Sequence, residues 1–288
     1  MTTTIRPHGP MLHPRVTILV RPSGVVQLGW DPEGALLLHP AELTVDTVLA
    51  FLRLLDGLQT RPQLIWRAGE HGIAPERALA LLAEIDDAGL LVHHGDTAGP
   101  VRAVRVHGLG PLADAVSAGL RGLGLRPSRS RDYRPDATVT GWRADLVVLT
   151  DSLVIDPRLA NDLVLHRIPH LHVRIRDNKG VIGPLVLPGM TSCLRCVDLI
   201  RCRYDPDWPL LAAQLLGRVG HASPAGIAAT TALLLGEFEA IRSCSPRHEL
   251  ATLNSTVELD LASHLIERRE WPPHAACGCR GIFAGPAA

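Results

Sequence analysis

The sequence of 288 residues has no net charge, because 29 lysines and arginines balance 29 aspartates and glutamates. Without a global positive field, binding to nucleic acid or to an anionic membrane would have to be local. Residues 1–14 lack the basic start and apolar core of a signal peptide, and no uninterrupted apolar run approaches the roughly 20 residues of a membrane span. We therefore expect a cytoplasmic protein with neither a membrane nor nucleic acid as its partner.

Aromatic residues are scarce, at 3%, which fits the codon bias of a GC-rich genome and carries little functional information. Hydrophobic residues nevertheless reach 46%, without the composition of a disordered chain. A chain of this length can bury one large core or two smaller ones. We predict two domains, residues 1–96 and 100–288, joined by the small, polar, turn-forming segment 94–100.

The first domain combines short strands with three helices. Residues 15–38 alternate apolar and polar side chains around two turns, which predicts two or three antiparallel strands. Helical spacing follows, with Thr44 as the N-cap of a first helix, a second helix in 63–72 and a third that begins near Pro75 and ends at Gly89. Residues 89–95 would close the domain as a strand. The order is that of a winged-helix module, which most often binds DNA.

The charge of the third predicted helix argues against DNA, since it carries Glu76, Arg77, Glu84, Asp86 and Asp87. A net negative face does not neutralise phosphates. A groove between such a helix and an edge strand can instead accept a peptide as an added strand. A dimerisation or packing module is the remaining alternative.

The second domain begins as a strand, a glycine turn and a helix. Gly108, Gly110 and Ala113 fit G-x-G-x-x-[GA], which lets a phosphate approach the backbone but also serves plain packing of helix on strand. The acidic residue expected about 20 positions later is missing, because Asp132 lies among arginines outside any apolar strand. A buried strand ending at Asp151 and further helices and strands then predict an α/β domain. A dehydrogenase is not indicated.

Four cysteines are the strongest chemical signal. Cys193-x-x-Cys196 and Cys277-x-Cys279 lie about eighty residues apart, and thiols in a reducing compartment indicate metal or redox chemistry before disulfides. Four thiolates can surround Zn²⁺ tetrahedrally and leave no open position, which predicts a structural site. A thioredoxin-like redox pair is the rival, although it needs no distant second pair.

The remaining cysteines and a histidine cluster receive no functional role. Cys202 and Cys244 are interpreted as ordinary core or surface cysteines. His166, His170 and His172 have no carboxylate at coordination spacing and are interpreted as surface histidines. We expect Trp208, in "DPDWP", to anchor a crossing loop.

The run from "LVVLTDS" to "LVLPGMTSCLRC" resembles the ThiF/MoeB/E1 superfamily. The stretch 183–215, "GPLVLPGMTSCLRCVDLIRCRYDPDWPLLAAQL", is closer still to the E1-like partner proteins of YcaO cyclodehydratases, the leader-peptide-binding "C" proteins of thiazole/oxazole-modified microcin (TOMM) biosynthesis. The resemblance covers residues 100–288. It implies a Rossmann-like E1-type domain, a homodimer, and a first domain similar to a RiPP recognition element, which takes a leader peptide as an added strand.

The resemblance also implies where a nucleotide would bind. Asp151 matches the metal-binding aspartate of the superfamily, and Arg158 and Asn161 match the helix after it; with Gly108 and Gly110 they form the candidate nucleotide set. The acidic second strand and the "N-x-x-R-Q" segment of active enzymes are absent. "SRSRDYRPDATVTGW" stands in their place and is interpreted as a surface loop, although its arginines, Arg129 and Arg131, could neutralise phosphate. We therefore do not expect this chain alone to turn over ATP with the help of Mg²⁺.

These observations together predict a leader-peptide-binding scaffold that presents a precursor peptide to a YcaO-type or other modifying enzyme, with a degenerate adenylation site and structural zinc. One alternative is an ATP-dependent adenylyltransferase that activates the C-terminus of a small carrier protein. Another is a winged-helix regulator that senses a nucleotide or a metal.

Overall fold

The chain folds into two compact units, Met1–Thr97 and Ala98–Ala288. The computed structural model describes residues 9–39, 43–92, 101–134, 136–243 and 250–279, so that the predicted linker 94–100 lies outside the described residues. None of the described helices is both long enough and apolar enough to cross a membrane.

The first unit contains five short strands and three helices. In chain order they are β1 (Met11–Leu12), β2 (Ile18–Val20), β3 (Val26–Leu28), β4 (Leu36–Leu38), α1 (Val45–Leu54), α2 (Arg61–Glu70), α3 (Pro75–Asp87) and β5 (Leu91–Val92). Strands β2, β3 and β4 form an antiparallel sheet in that order, as the alternating pattern predicts. The closing strand β5 pairs with β1 and not with this sheet.

Local signals set the helix ends of this unit. The Thr44 side chain accepts a hydrogen bond from the backbone N–H of Thr47 and so caps α1, as expected. Pro75 opens α3, where its missing N–H costs nothing, and Gly89 follows the helix at a φ of 68°. The apolar faces of the three helices and the inner face of the sheet meet in one core, which includes Val26, Phe51 and Ile85.

The second unit is a seven-stranded mixed sheet with helices on its faces. Its elements are β6 (Val104–His107), α4 (Pro111–Gly122), β7 (Ser128–Ser130), β8 (Leu146–Thr150), α5 (Pro157–Leu165), β9 (His170–Arg176), β10 (Lys179–Val186), α6 (Leu194–Tyr204), α7 (Trp208–Leu215), α8 (Pro224–Ser243), β11 (Ser255–Asp260), β12 (Ile266–Glu270) and a 3₁₀ turn at Ala275–Cys277. The sheet order is β12-β11-β10-β9-β8-β6-β7. Strands β7, β6, β8 and β9 are parallel, and β10, β11 and β12 continue the sheet antiparallel.

Strand β8 is buried on both faces. Val148 packs into the cluster that contains α4 and α8, whereas Val147 and Leu149 pack into a second cluster with Leu159 of α5. Alternate side chains of one strand therefore serve two cores, which explains its continuous apolar sequence. The carboxyl end of β8 delivers Asp151 to the edge where the parallel strands end.

The sequence interpretation was wrong at two places in this unit. "SRS" is not part of a surface loop, because Ser128–Ser130 forms β7 and pairs in parallel with β6. The sequence Asn178-Lys179-Gly180 predicts the turn after β9, but the turn lies at Asp177 and Asn178, which both have positive φ, and Lys179 already belongs to β10. Two residues with positive φ are what a tight hairpin requires.

Candidate functional site

The four cysteines named from the sequence come together in the second unit. The sulfur of Cys193 lies 3.4 Å from that of Cys277 and 3.8 Å from that of Cys196, and the sulfurs of Cys196 and Cys279 are 3.6 Å apart. All four thiols lie within 4.8 Å of one another and all four residues are buried. Among the described residues, this is the one cluster of histidine, cysteine or carboxylate groups with such spacing.

The local structure explains why these thiols converge. Cys193 is the N-cap residue of α6, so Cys196 lies in the first helical turn and both sulfurs point to the same side. The 3₁₀ turn carries Cys277, and Gly278 at a φ of 70° reverses the chain so that Cys279 returns to the cluster. The backbone N–H of His274 donates to the sulfur of Cys196.

The geometry suits a tetrahedral metal ion. With metal–sulfur distances of about 2.3 Å, the edges of a sulfur tetrahedron measure about 3.8 Å, which is close to the observed separations. The four cysteines do not form disulfides in this structure, since bonded sulfur atoms would be about 2 Å apart. The hydrogen bond between the Cys193 and Cys196 thiols lowers the pKa of Cys196 and raises that of Cys193, so that Cys196 is the thiolate of the pair. The cluster can therefore bind a metal such as zinc.

The glycine turn that precedes α4 is closed by the chain's own carboxylate. Asp151 is buried, and its Oδ2 accepts hydrogen bonds of 3.0 Å from the backbone N–H of Gly110 and from the hydroxyl of Thr150. A Cβ at Gly110 would lie 2.3 Å from Oδ1 of Asp151, and one at Gly108 would lie 2.1 Å from the Thr150 hydroxyl oxygen. The N-terminus of α4, where an anion is favoured, thus already holds a negative charge.

The other candidate nucleotide residues point to different partners. Arg158 pairs with Asp156 at 2.6 Å on the surface of α5, whereas Asn161 lines a cavity described below. Arg129 pairs with Asp114 at 2.6 Å. At the end of β7, the position of the missing acidic residue is taken by Ser130, whose hydroxyl lies 3.0 Å from Nδ1 of His107.

A cavity of about 370 Å³ lies beside the cysteine cluster, and Cys193, Cys277 and Cys279 form part of its wall. A second cavity, of about 380 Å³, shares Leu153, Arg174 and Arg201 with it. The cavities lie between the sheet and helices α5, α6 and α7. No sequence motif indicated them, because their walls come from segments that are distant in the chain.

Two of the three histidines are buried, which corrects the sequence interpretation for them, whereas His166 is exposed as that interpretation predicts. His170 and His172 are buried in the central strand β9, and burial lowers the pKa of His170 to about 4. Nε2 of His172 lies 2.9 Å from the carbonyl oxygen of Ser152, so Nε2 carries the proton and Nδ1 accepts a 2.8 Å hydrogen bond from Arg174. His166 lies apart, against Asp162.

Trp208 begins α7 and anchors it to α6, in line with its expected role. Its Nε1 donates to Asp198 at 3.0 Å, and the guanidinium of Arg201 lies 4.5 Å from the centre of its ring. Cys202 lies on α6 outside the metal cluster and is a free thiol. Cys244 lies outside the described residues.

The three-stranded sheet of the first unit has two unpaired edges within the described residues, β2 and β4. Leu19, Gln27 and Leu37 form one row across the sheet, on the face opposite to the core residues Val26 and Leu38. Helix α3 lies beside the end of β4, since Arg77 donates to the carbonyl oxygen of His39.

Comparisons with known proteins identify relatives by structure alone, because no protein-family model and no curated protein matches this chain. The heterocyclase TruD is similar with a TM-score of 0.66 and 17% identity, over 96% of this chain and 43% of TruD. A heterocyclase in complex with substrate and cofactor is similar with a TM-score of 0.63 and 14% identity, over 95% of this chain and 39% of the heterocyclase. The Microcin C7 biosynthetic enzyme MccB, in complex with N-formylated MccA, is similar with a TM-score of 0.61 and 14% identity. The match covers 94% of this chain and 99% of MccB.

These similarities and the seven-stranded mixed sheet show a ThiF/MoeB-like, Rossmann-like fold. The chain spans less than half the length of the two heterocyclases and nearly the whole length of MccB from E. coli.

Proposed function

We propose that this chain is a leader-peptide-binding scaffold that presents a ribosomally made precursor peptide to a YcaO-type cyclodehydratase or another modifying enzyme. The observation that carries the proposal is the similarity over 94–95% of the chain to MccB in complex with N-formylated MccA and to a heterocyclase in complex with substrate and cofactor.

The peptide enters the first unit, which we interpret as a winged-helix module similar to a RiPP recognition element. Its acceptor is the free edge of β4, beside α3. An added strand there gains main-chain hydrogen bonds, and alternate side chains of the peptide continue the row that ends in Leu37. The β2 edge is the competing acceptor, with Leu19 at the other end of the same row.

The second unit supplies the docking surface and not the catalyst. The Asp151 carboxylate fills the N-terminus of α4, and Ser130 replaces the acidic residue that would bind a ribose. Both features support a degenerate adenylation site. We expect homodimerisation through this unit, and the domain limits 1–96 and 100–288 stay predictions.

Zinc is structural in this proposal. Its ligands are Cys193, Cys196, Cys277 and Cys279, which leave no position for a substrate. The ion would join the segment 274–279 to α6 and so complete the wall of the first cavity.

The proposal predicts a gene for a short precursor peptide beside the gene for this chain, and it is tested by titrating the full chain with the leader segment of that peptide. Leu37→Glu should weaken binding about tenfold or more, because it places a charge beside the added strand. Leu19→Glu is the matched control, since it makes the same change in the same row at the opposite edge, and it should leave the affinity unchanged.

One result would change the peptide edge in this proposal, and three others would count against the function. Loss of binding with Leu19→Glu and not with Leu37→Glu would move the peptide to β2. No binding of the leader by the unaltered chain would remove the recognition role. ATP–pyrophosphate exchange that depends on Asp151 would replace the scaffold with the alternative adenylyltransferase, and salt-dependent DNA binding by the first unit would favour the winged-helix regulator.

A further inference from the structure

Arg174 is a buried arginine without a countercharge. It lies in the middle of β9, is 3% exposed and lines both cavities of the second unit. Among the described residues it makes one hydrogen bond, to the neutral Nδ1 of His172, and no carboxylate oxygen lies within 4.0 Å of its guanidinium. A guanidinium has five N–H donors, so most of its capacity is unused.

The nearby carboxylates are already engaged. Glu258 accepts hydrogen bonds of 2.9 and 3.0 Å from Arg176, and Asp198 accepts one from the indole of Trp208. Asp198 also pairs with Arg201 at 3.7 Å, and burial raises the pKa of its carboxyl group. Burial and the neighbouring charges of Arg201 and Arg176 lower the pKa of Arg174 to about 9. An uncompensated buried charge is costly, and a bound anion would relieve that cost.

Arginines outnumber carboxylates among the side chains that line these cavities, and part of the lining is apolar. Their charged lining consists of five arginines and two aspartates: Arg174, Arg176, Arg195, Arg201, Arg269, Asp177 and Asp198. The first cavity adds an apolar wall formed by Leu153, Val154, Ile155, Val164 and Val197. Its 370 Å³ is within the size range of small-molecule sites.

We propose that these joined cavities bind a small molecule with an apolar body and a single oxyanion, either a carboxylate or a phosphate. Arg174 of the sheet donates to the oxyanion, and Arg201 of α6 lines the same two cavities as a second cationic donor. The guanidinium fork suits both groups, because each offers two oxygens at the spacing of two N–H donors. This site is independent of the peptide edge in the first unit.

Isothermal titration calorimetry of the full chain tests the site with three probes that each have six carbon atoms: hexanoate, hexyl phosphate and the neutral hexanamide. We expect at least one of the two anions to bind roughly tenfold or more tightly than hexanamide, as befits hydrogen bonds to a charged group. Whichever anion binds identifies the oxyanion. Tryptophan fluorescence gives a second readout, because Arg201 lies 4.5 Å from the Trp208 ring and 5.3 Å from the Trp271 ring.

Arg174→Met keeps much of the side-chain length and removes the charge, so it should weaken anion binding by roughly tenfold or more. Arg203→Met, on the exposed side of α6, is the control and should bind as the unaltered chain does. Zinc content is measured for each variant, so that damage to the cysteine cluster is not mistaken for loss of the anion site. Arg174→Met should also remain folded without ligand, since it removes an unpaired buried charge.

The inference is overturned if hexanamide binds as well as both anions, if no probe binds, or if Arg174→Met binds the anions unchanged. If Arg174→Met does not fold, the comparison of anions with hexanamide in the unaltered chain still decides the outcome.

Discussion

The sulfur atoms of Cys193 and Cys277 lie 3.4 Å apart although 84 positions separate them in the chain. Only the folded second unit brings them together, with Cys193 at the start of α6 and Cys277 in the 3₁₀ turn. A metal ion held here would therefore act as a cross-link between two distant segments.

The first prediction concerns this cross-link. The purified chain should contain about one zinc ion, and Cys193→Ser should lose it, because a serine hydroxyl is a poor zinc ligand. The midpoint of thermal unfolding should fall by more than about 5 °C. Metal analysis and a thermal scan measure both effects. Cys202→Ser, a free thiol on the same helix, should change neither; a zinc-free chain of equal stability would remove the metal from the proposal.

The second prediction concerns the glycine turn. Gly110→Ala should destabilise the chain by about 1–3 kcal/mol, because the new Cβ would lie 2.3 Å from Oδ1 of Asp151. Gly122→Ala, at the end of the same helix, meets nothing within 4 Å and should be neutral or stabilising by up to about 1 kcal/mol. Urea unfolding measures the difference.

Removal of the carboxylate gives an internal check on that clash. In the Asp151→Ala background, Gly110→Ala should lower the free energy of unfolding by less, because the carboxylate that the new Cβ meets is gone. The effects of substitutions at two residues in contact are not additive. If Gly110→Ala is as harmless as Gly122→Ala, the Asp151 carboxylate does not occupy the turn.

The third prediction concerns acid. His170 is buried and neutral, and its pKa is lowered from 6.5 to about 4. The unfolded chain takes up a proton on this residue below about pH 6.5 and the folded chain does not, so stability falls as the pH drops from 6.5 towards 4 and is constant above that window. The loss from this one residue should approach about 3 kcal/mol.

Urea unfolding between pH 7.5 and 4.5 measures this loss. In His170→Phe the slope against pH should be smaller, whatever its stability at pH 7.5, whereas His264→Asn, at an exposed turn, should keep the full slope. Acid also protonates the cysteine cluster in every variant, so the difference between slopes isolates His170. Equal slopes for His170→Phe and the unaltered chain would contradict a buried neutral histidine.

Local sequence signals located several elements correctly. Thr44 and Pro75 mark helix starts because capping and a fixed φ act within one turn of the chain. The C-x-x-C and C-x-C spacings identified the cysteines that converge, because metal ligands must come in pairs that short turns can present. The continuous apolar run of β8 indicated a strand buried on both faces.

Other elements could not be predicted because their sequences carry no characteristic pattern. Strand β7 is three polar residues at a sheet edge, and all five residues of β12 are exposed, so neither shows an apolar pattern. Their pairing depends on neighbouring strands that lie far away in sequence. The histidines of β9 resemble surface residues until the sheet and its covering helices are in place.

The helix caps, the central strands and the cysteines that can share a metal follow from the sequence, because each depends on residues within a turn or on a repeated short spacing. In contrast, only the folded chain shows that Asp151 closes the glycine turn and that Arg174 is buried without a countercharge. Burial and electrostatic pairing depend on every segment that surrounds a side chain. An arginine within a strand therefore gives no indication of its surroundings until the fold is complete.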